Sequence, residues 1–107
     1  MGKLILLHIK AEKELSKFPR VVKLKFKGLF EILESTGHLE QPFAKKLSGR
    51  NDLFELRVRH DGQWRALYSY IKNNSVIILS AFHKKTQQTP QKELNKAYKR
   101  LQVYTKG

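Results

Sequence analysis

The spacing of apolar residues along the chain predicts alternating strands and helices. Leu4–His8 is a short apolar run and predicts a first strand. Apolar residues then recur at helical spacing from Ala11 to Phe18, and Pro19 is expected to end that helix. A second helix is predicted over Arg20–Ser35, with an apolar stripe of Val22, Phe26, Leu29, Phe30 and Leu33. Because only a proline turn separates them, the two helices are expected to pack as an antiparallel hairpin.

The residue pattern in the middle of the chain predicts a loop followed by strands. Gly37 is placed to close the second helix, and 38–52 reads as a loop that could include a short strand over Ala44–Leu47. Phe54–Arg59 alternates apolar and polar residues, which is the period of a half-buried strand. Val76–Phe82 is nearly all apolar, as expected of an interior strand covered on both faces.

A hairpin is predicted at the turn His60–Gln63, and its loop length sets which side chains share a face. A two-residue loop would place an arginine on the apolar face. Burial favours a three-residue loop, Asp61–Gln63, because a one-residue slip exchanges every side chain between faces. This register pairs Val58 with Ala66, Leu56 with Tyr68 and Arg59 with Arg65. It gathers three arginines on the face opposite the apolar one: Arg57, Arg59 and Arg65.

The last element is predicted to be an amphipathic helix. Thr89 and Pro90 fit an N-cap and a first-turn proline, and the apolar stripe that follows is Leu94, Ala97, Tyr98, Leu101 and Tyr104. The order is therefore β-α-α-β-β-β-α. This order predicts an α+β fold with two N-terminal helices, an antiparallel-meander sheet and a C-terminal helix, in one domain over 1–107.

Charge adds an expectation about partners. The 107 residues include 22 Lys and Arg against 9 Asp and Glu, a formal charge of +13. After Asp61 the only acidic residue is Glu93, against nine Lys and Arg. Such a field attracts polyanions, nucleic acids among them. A solvated basic surface without a partner is the alternative.

Several classes of protein do not fit the sequence. The chain has no cysteine, and its four histidines are scattered, so no disulfide, metal or cofactor is expected. The apolar run at Leu4–Leu7 is too short for a signal peptide or a membrane span. We expect a cytoplasmic protein that does not bind membranes.

Basic side chains collect on the three later strands and just after them. They are Arg57, Arg59, Arg65, Lys84 and Lys85, with His83 among them and no paired carboxylates. This set suits a phosphodiester whose transition state is more negative than its ground state. RNA is the substrate that it indicates.

Specific segments carry a family resemblance that covers nearly the whole chain. They are Gly37–Leu39, Lys45–Leu47, Leu53–Arg57, Trp64–Tyr68, Ala81–Thr86 and Thr89–Pro90. In this order and spacing they resemble the RelE/ParE toxin superfamily, and most closely its phage-derived HigB-type branch. The resemblance implies a RelE-like fold and the toxin of a type II toxin-antitoxin system.

The same resemblance implies an activity and its partners. Such toxins are metal-independent endoribonucleases that cleave mRNA on the ribosome, by attack of the 2′-hydroxyl on the scissile phosphate. The implied partners are the ribosome, mRNA and a HigA-like helix-turn-helix antitoxin that also represses the operon. Two alternatives stay open: a non-catalytic ParE-like gyrase inhibitor, and a nucleic-acid-binding domain without cleavage activity.

Catalytic roles follow residue by residue from the resemblance. Arg65 takes the place of a phosphate-binding arginine, and Arg57 that of a catalytic basic residue on the neighbouring strand. His83 and Lys84 stand at the strand end where relatives complete the site, and imidazole readily exchanges a proton at neutral pH. Glu55 departs from the lysine of RelE. It is either the general base or an ion-pair partner of a neighbouring arginine.

The remaining basic residues are predicted to contact RNA backbone without reading sequence. They are Arg59, Lys85, Lys45, Lys46, Lys92, Lys96, Lys99 and Arg100. An acidic or amphipathic antitoxin segment is expected to be able to cover the same helix face.

Overall fold

Five strands form one mixed sheet, with two helices on one face and a third helix on the other. The computed structural model describes residues 2–47, 49 and 52–105. The elements are β1 (Leu4–Leu7), α1 (Ile9–Ser16), α2 (Arg20–Thr36), β2 (Ala44–Lys46), β3 (Phe54–Arg59), β4 (Gln63–Ile71), β5 (Ser75–Lys84) and α3 (Gln91–Thr105). The strand order is β1-β5-β4-β3-β2, with β1 parallel to β5 and the other neighbours antiparallel. The predicted α+β fold is confirmed, and the optional short strand is present as β2.

The two N-terminal helices begin and end at local signals. His8 caps α1 by accepting a hydrogen bond from the Lys10 N–H at 3.1 Å. Gly37 closes α2 as predicted, at φ 87°, and its N–H donates to the Leu33 carbonyl. Helix α1 packs mainly on β5, and α2 on β3 and β1. Buried residues of both helices share one apolar cluster with that face of the sheet, and the antiparallel arrangement of the two helices stays a prediction.

Strand β5 lies inside the sheet, as its apolar run predicts. Val76, Ile78 and Ala81 pack with the α1 and α2 side of the core. Ile77, Leu79 and Phe82 pack with α3 on the other side. Both faces of β5 are buried as a result.

The register of the β3–β4 hairpin differs from the prediction by two residues. Arg57 pairs with Arg65, and Arg59 pairs with Gln63. The predicted pairing of Arg59 with Arg65 is wrong, because the loop is His60–Gly62, closed by a hydrogen bond from the His60 N–H to the Gly62 carbonyl at 3.0 Å. A shift of two residues keeps every side chain on its face. The predicted arginine face is therefore present.

Helix α3 begins one residue later than its sequence signals indicate. The Pro90 carbonyl accepts hydrogen bonds from the Glu93 and Leu94 N–H groups at 3.0 and 3.2 Å. The predicted N-cap at Thr89 is wrong, because the Thr89 hydroxyl donates to the buried Glu55 carboxylate instead. This bond ties the segment before α3 to strand β3.

Among the described residues, no helix has the length and apolar character needed to cross a membrane.

A carboxylate from α1 completes one edge of the sheet. Strand β1 pairs with β5 only as far as Ile78, and beyond it Glu14 accepts a hydrogen bond from the Ala81 N–H at 3.1 Å. Arg100 of α3 donates to the Leu79 carbonyl at 2.7 Å and to both oxygens of Glu14 at 3.0 and 3.1 Å. The Glu14–Arg100 ion pair therefore joins α1, β5 and α3.

The ionisation of Glu14 reflects these bonds. Burial alone would raise the pKa of Glu14. Hydrogen bonds from Arg100, the Ala81 N–H and Lys96 outweigh burial and hold this pKa below its ordinary value of 4.5. The stabilisation is present above pH 4.5 and is lost as the pH falls through the lowered pKa.

We expect Glu14→Gln to lower the free energy of unfolding at neutral pH by about 2 kcal/mol, because Arg100 loses its charged partner. As the pH drops below 4.5, the free energy of unfolding of the variant should also decrease less than that of the wild type. Urea unfolding at pH 7 and pH 3 measures both effects. Glu31→Gln, at an exposed position of α2, is the control. Equal losses at the two pH values would contradict the assignment.

Candidate functional site

Two arginines lie directly opposite each other on neighbouring strands. Arg57 of β3 pairs with Arg65 of β4, so both side chains lie on the same face of the sheet, which is the face on which α3 packs. Arg65 is buried, and the Arg57 side chain is 28% exposed. Like charges directly opposite each other destabilise a sheet. The pair therefore needs a compensating negative charge.

Glu55 supplies that charge from within β3. Its carboxylate is buried, with Oε1 3.1 Å from Arg57 Nε and 3.4 Å from Arg65 Nε. Its Oε2 accepts the hydrogen bond from Thr89. Two arginines share one carboxylate, so the site keeps a net positive charge. The structure thus contains the ion pair that the sequence left as one reading of Glu55.

The Arg65 guanidinium is held at both ends. Its Nη1 donates to the Trp64 carbonyl at 3.1 Å, and its Nη2 donates to Gln63 Oε1. Burial lowers the pKa of Arg65, the Glu55 charge opposes this, and the charges of Arg57 and Arg59 lower it further. An arginine stays protonated in such surroundings. It can therefore present a fixed positive charge to an anion.

Lys84 joins the arginines from the end of β5. It lies opposite Gln63 in the β4–β5 register, and its side chain is half-buried. Burial lowers the pKa of Lys84; Glu55 opposes this, and the positive charges of Arg65, Arg57 and Lys45 lower it further. Its ammonium gives up a proton more readily than an ordinary lysine does.

These side chains line a cleft of about 1150 Å³. Its walls are α2, the segment before β2, the β3–β4 hairpin and the end of β5. Among the described residues, every charged side chain that lines it is lysine or arginine: Lys25, Arg57, Arg59, Arg65, Lys84 and Lys85. A cleft lined by these charges attracts polyanions.

His83 does not join this cluster. Its ring stacks on Trp64, with centroids 4.1 Å apart and planes 10° apart, and Trp64 packs on Phe18 with centroids 4.8 Å apart. Successive side chains of a strand point to opposite faces, so His83 and Trp64 lie on the sheet face covered by α1 and α2, while Lys84 and Arg65 lie on the opposite face. The expected grouping of His83 with the arginines is therefore wrong.

The basic strand residues that are predicted to contact RNA do not all lie on the same face of the sheet. Lys45 lies opposite Glu55 in the β2–β3 register and so shares the arginine face. The Lys46 ammonium lies 6.0 Å from the Phe54 ring centroid, on the opposite face. Arg59 and Lys85 are exposed and line the cleft.

The predicted basic face of α3 is partly committed to internal ion pairs. Lys96 Nζ lies 3.2 Å from Glu14 Oε2 and 3.0 Å from Glu93 Oε1, and Arg100 binds Glu14 and the Leu79 carbonyl. These contacts hold α3 on the sheet, and the RNA contacts of Lys96 and Arg100 stay a prediction. Lys92 and Lys99 are exposed.

Two residues of the site were missed by sequence reasoning. The sequence predicts Gln63 in the hairpin loop, but it is the first residue of β4 and lies on the same face as Arg65, two residues along. It predicts Thr89 as a helix cap, but the Thr89 hydroxyl donates to Glu55. Strand alternation would have found Gln63 once the loop was placed at His60–Gly62. Thr89 has no comparable sequence signal.

Within 2–47, 49 and 52–105, no group of three or more His, Cys, Asp or Glu side chains is placed to hold a metal ion. The nearest carboxylate to the arginines, Glu55, already has protein partners.

Comparisons with known proteins agree with this architecture. The family described as "Phage derived protein Gp49-like (DUF891)" matches residues 13–102. An arginine-to-alanine double mutant of the E. coli toxin RelE in the free state superposes with a TM-score of 0.74 at 20% identity, covering 94% of this chain and 99% of that one. The chain matched in the archaeal RelE-RelB complex from Pyrococcus horikoshii OT3 gives a TM-score of 0.59 at 28% identity, covering 78% and 96%. No curated protein matches.

We expect Glu55→Gln to lower the free energy of unfolding by about 3 kcal/mol, because it leaves two facing guanidinium groups without a counter-charge. Adding Arg57→Gln should restore part of that loss, since it removes one of the two positive charges. A double-mutant cycle by urea unfolding measures the coupling. If the two losses simply add, Glu55 does not compensate the arginine pair.

Proposed function

Because the chain belongs to the phage-derived Gp49-like family and has the RelE fold, we propose that it is a toxin that cleaves mRNA on the ribosome. One observation carries the proposal: Arg57, Arg65 and Lys84 converge at a cleft whose charged lining residues, among those that the structure describes, are all basic. A cleaved phosphodiester gains negative charge in its transition state, and such charge is what these groups stabilise.

Each residue of the cleft has a proposed role. The planar fork of Arg65 holds the oxygens of the scissile phosphate, and Arg57 adds a second positive charge. The 2′-hydroxyl attacks the phosphorus in line with the leaving 5′-oxygen and releases its proton to solvent. Lys84 donates a proton to that 5′-oxygen, for which its lowered pKa suits it.

Glu55 is a positioning residue in this proposal. Its two oxygens are occupied by Arg57, Arg65 and Thr89, which fixes the arginines before substrate arrives. Preorganised charges spend little free energy on reorganisation during the reaction. A general base must instead be within hydrogen-bond reach of substrate.

The ribosome and an antitoxin complete the proposal. The exposed Lys45, Lys85, Lys92 and Lys99 fit contacts with ribosomal RNA, which hold the protein without reading sequence. Several solved relatives are described as complexes of a RelE toxin with a RelB antitoxin. We propose an antitoxin partner for this chain as well, of the HigA-like helix-turn-helix type that the sequence resemblance implies.

Adding the purified chain to a translation reaction and mapping new RNA 5′ ends tests the activity. We expect cuts within codons of translated mRNA and none without ribosomes. Inhibition of DNA supercoiling without RNA cuts would support the non-catalytic alternative instead. Neither effect at saturating protein would overturn both.

We expect Arg65→Ala to lower the cleavage rate about 100- to 1,000-fold, by analogy with the loss of one donor to a developing oxyanion. Arg65→Lys should recover little of it, because an ammonium lacks the planar fork. Arg20→Ala, at an exposed position of α2, is the matched control and should cleave normally. Circular dichroism confirms that each variant is folded. A fully active Arg65→Ala would remove Arg65 from the mechanism.

The pH dependence of cleavage tests Lys84. Since the protonated ammonium is the proposed donor, the rate should fall as the pH rises through the lowered pKa of Lys84. In Arg57→Gln one charge that lowers this pKa is absent, so the alkaline fall should move to higher pH. In Lys84→Met the fall should disappear from an already low rate. An unchanged profile in both variants would exclude Lys84 as the donor.

A further inference from the structure

We propose that the exposed face of the His83 ring stacks one nucleobase of single-stranded RNA beside the arginine cleft. The inference deepens the proposed function and rests on it. It gives His83 a role in holding substrate on the sheet face opposite the arginines.

An ordered aromatic column leads to this ring. Phe18 packs on Trp64 with centroids 4.8 Å apart, and Trp64 stacks on His83 at 4.1 Å with nearly parallel planes. The indole is fixed further by its Nε1, which donates to the His60 carbonyl at 2.9 Å. His83 is exposed at the end of this column. One ring face is therefore covered by Trp64, and the ring is held in place before any ligand binds.

The hairpin tip brings the column to the border of the cleft. A Cβ at Gly62 would lie 2.5 Å from His83 Nε2, so the ring edge occupies space that only glycine leaves free. Gly62 also lines the arginine cleft. A single strand that crosses the tip can therefore place a phosphate against Arg65 and a neighbouring base against His83.

The surroundings favour a nucleobase over another planar ligand. Lys84 and Lys85 follow His83 directly, and the chain carries a formal charge of +13. Single-stranded nucleic acid is bound by this combination of positive charge and stacking rings, and each stacked base adds measurable affinity without sequence preference. A cation and an aromatic ring on one short segment match a nucleotide's two parts.

Binding of matched oligonucleotides to the full chain tests the site. The probes are 2′-O-methyl RNA hexamers, which have no 2′-hydroxyl nucleophile, with one abasic residue at each position in turn. At one position we expect loss of the base to weaken binding about 10-fold, within the range for one stacked base. 2-Aminopurine at that position should lose fluorescence on binding.

Variants at residue 83 identify the surface responsible. His83→Ala and His83→Lys should bind the abasic and complete hexamers equally, whereas His83→Phe should keep the 10-fold preference because it keeps a ring. His38→Ala, at an exposed position outside the column, is the control and should behave as wild type. Circular dichroism reports whether each variant is folded, because Trp64 stacks on residue 83 and its emission would change with the substitution itself.

The outcomes separate this site from the proposed activity. Equal binding of all hexamers by the wild type, or a preference that survives His83→Ala, would overturn the stacking site. If His83→Ala does not fold, the comparison of His83→Phe with His83→Lys decides, and equal preference in both would overturn it. Base preference without mRNA cleavage would reject the proposed activity alone.

Discussion

The buried carboxylate of Glu55 is the interaction on which the cleft depends. Without it, the hairpin register would set two guanidinium groups against each other in the interior of a sheet, which costs stability. With it, Arg57 and Arg65 can be fixed and still leave a surplus of positive charge. The bond from Thr89 extends this constraint to the segment that leads into α3. One carboxylate thus joins β3, β4 and the start of the last helix.

Part of the site could be predicted from the sequence because successive side chains of a strand alternate between its two faces. The face shared by Arg57, Arg59 and Arg65 follows from alternation and from burial of the opposite face, and it survives a two-residue error in register. The pairing of Arg57 with Arg65 does not follow, because it depends on positive φ at Asp61 and Gly62.

Two features of the site could not be predicted from the sequence. One is which of two adjacent strand residues faces the arginines, and the other is which distant segments contact each other. His83 and Lys84 are neighbours, so only one of them can face the arginines, and the apolar run of β5 does not say which. The bond of Thr89 to Glu55 and the ion pairs of Lys96 and Arg100 with Glu14 join residues far apart along the chain. Their residue types alone fit a helix cap and a solvated basic face equally well. The fold itself was predictable, because its apolar periodicity is local.

The cover that Glu14 and Arg100 place over β5 has a consequence for the behaviour of the protein in solution. A strand edge with free N–H and carbonyl groups is a template on which a strand of another molecule can pair, and pairing of this kind leads to aggregation. Side chains occupy these groups at Leu79 and Ala81, while at the other end of the sheet the exposed charge of Arg59 discourages pairing along β3. Beyond the ends of β1 and β2, charged side chains therefore protect the open stretches of β5 and β3 from self-association.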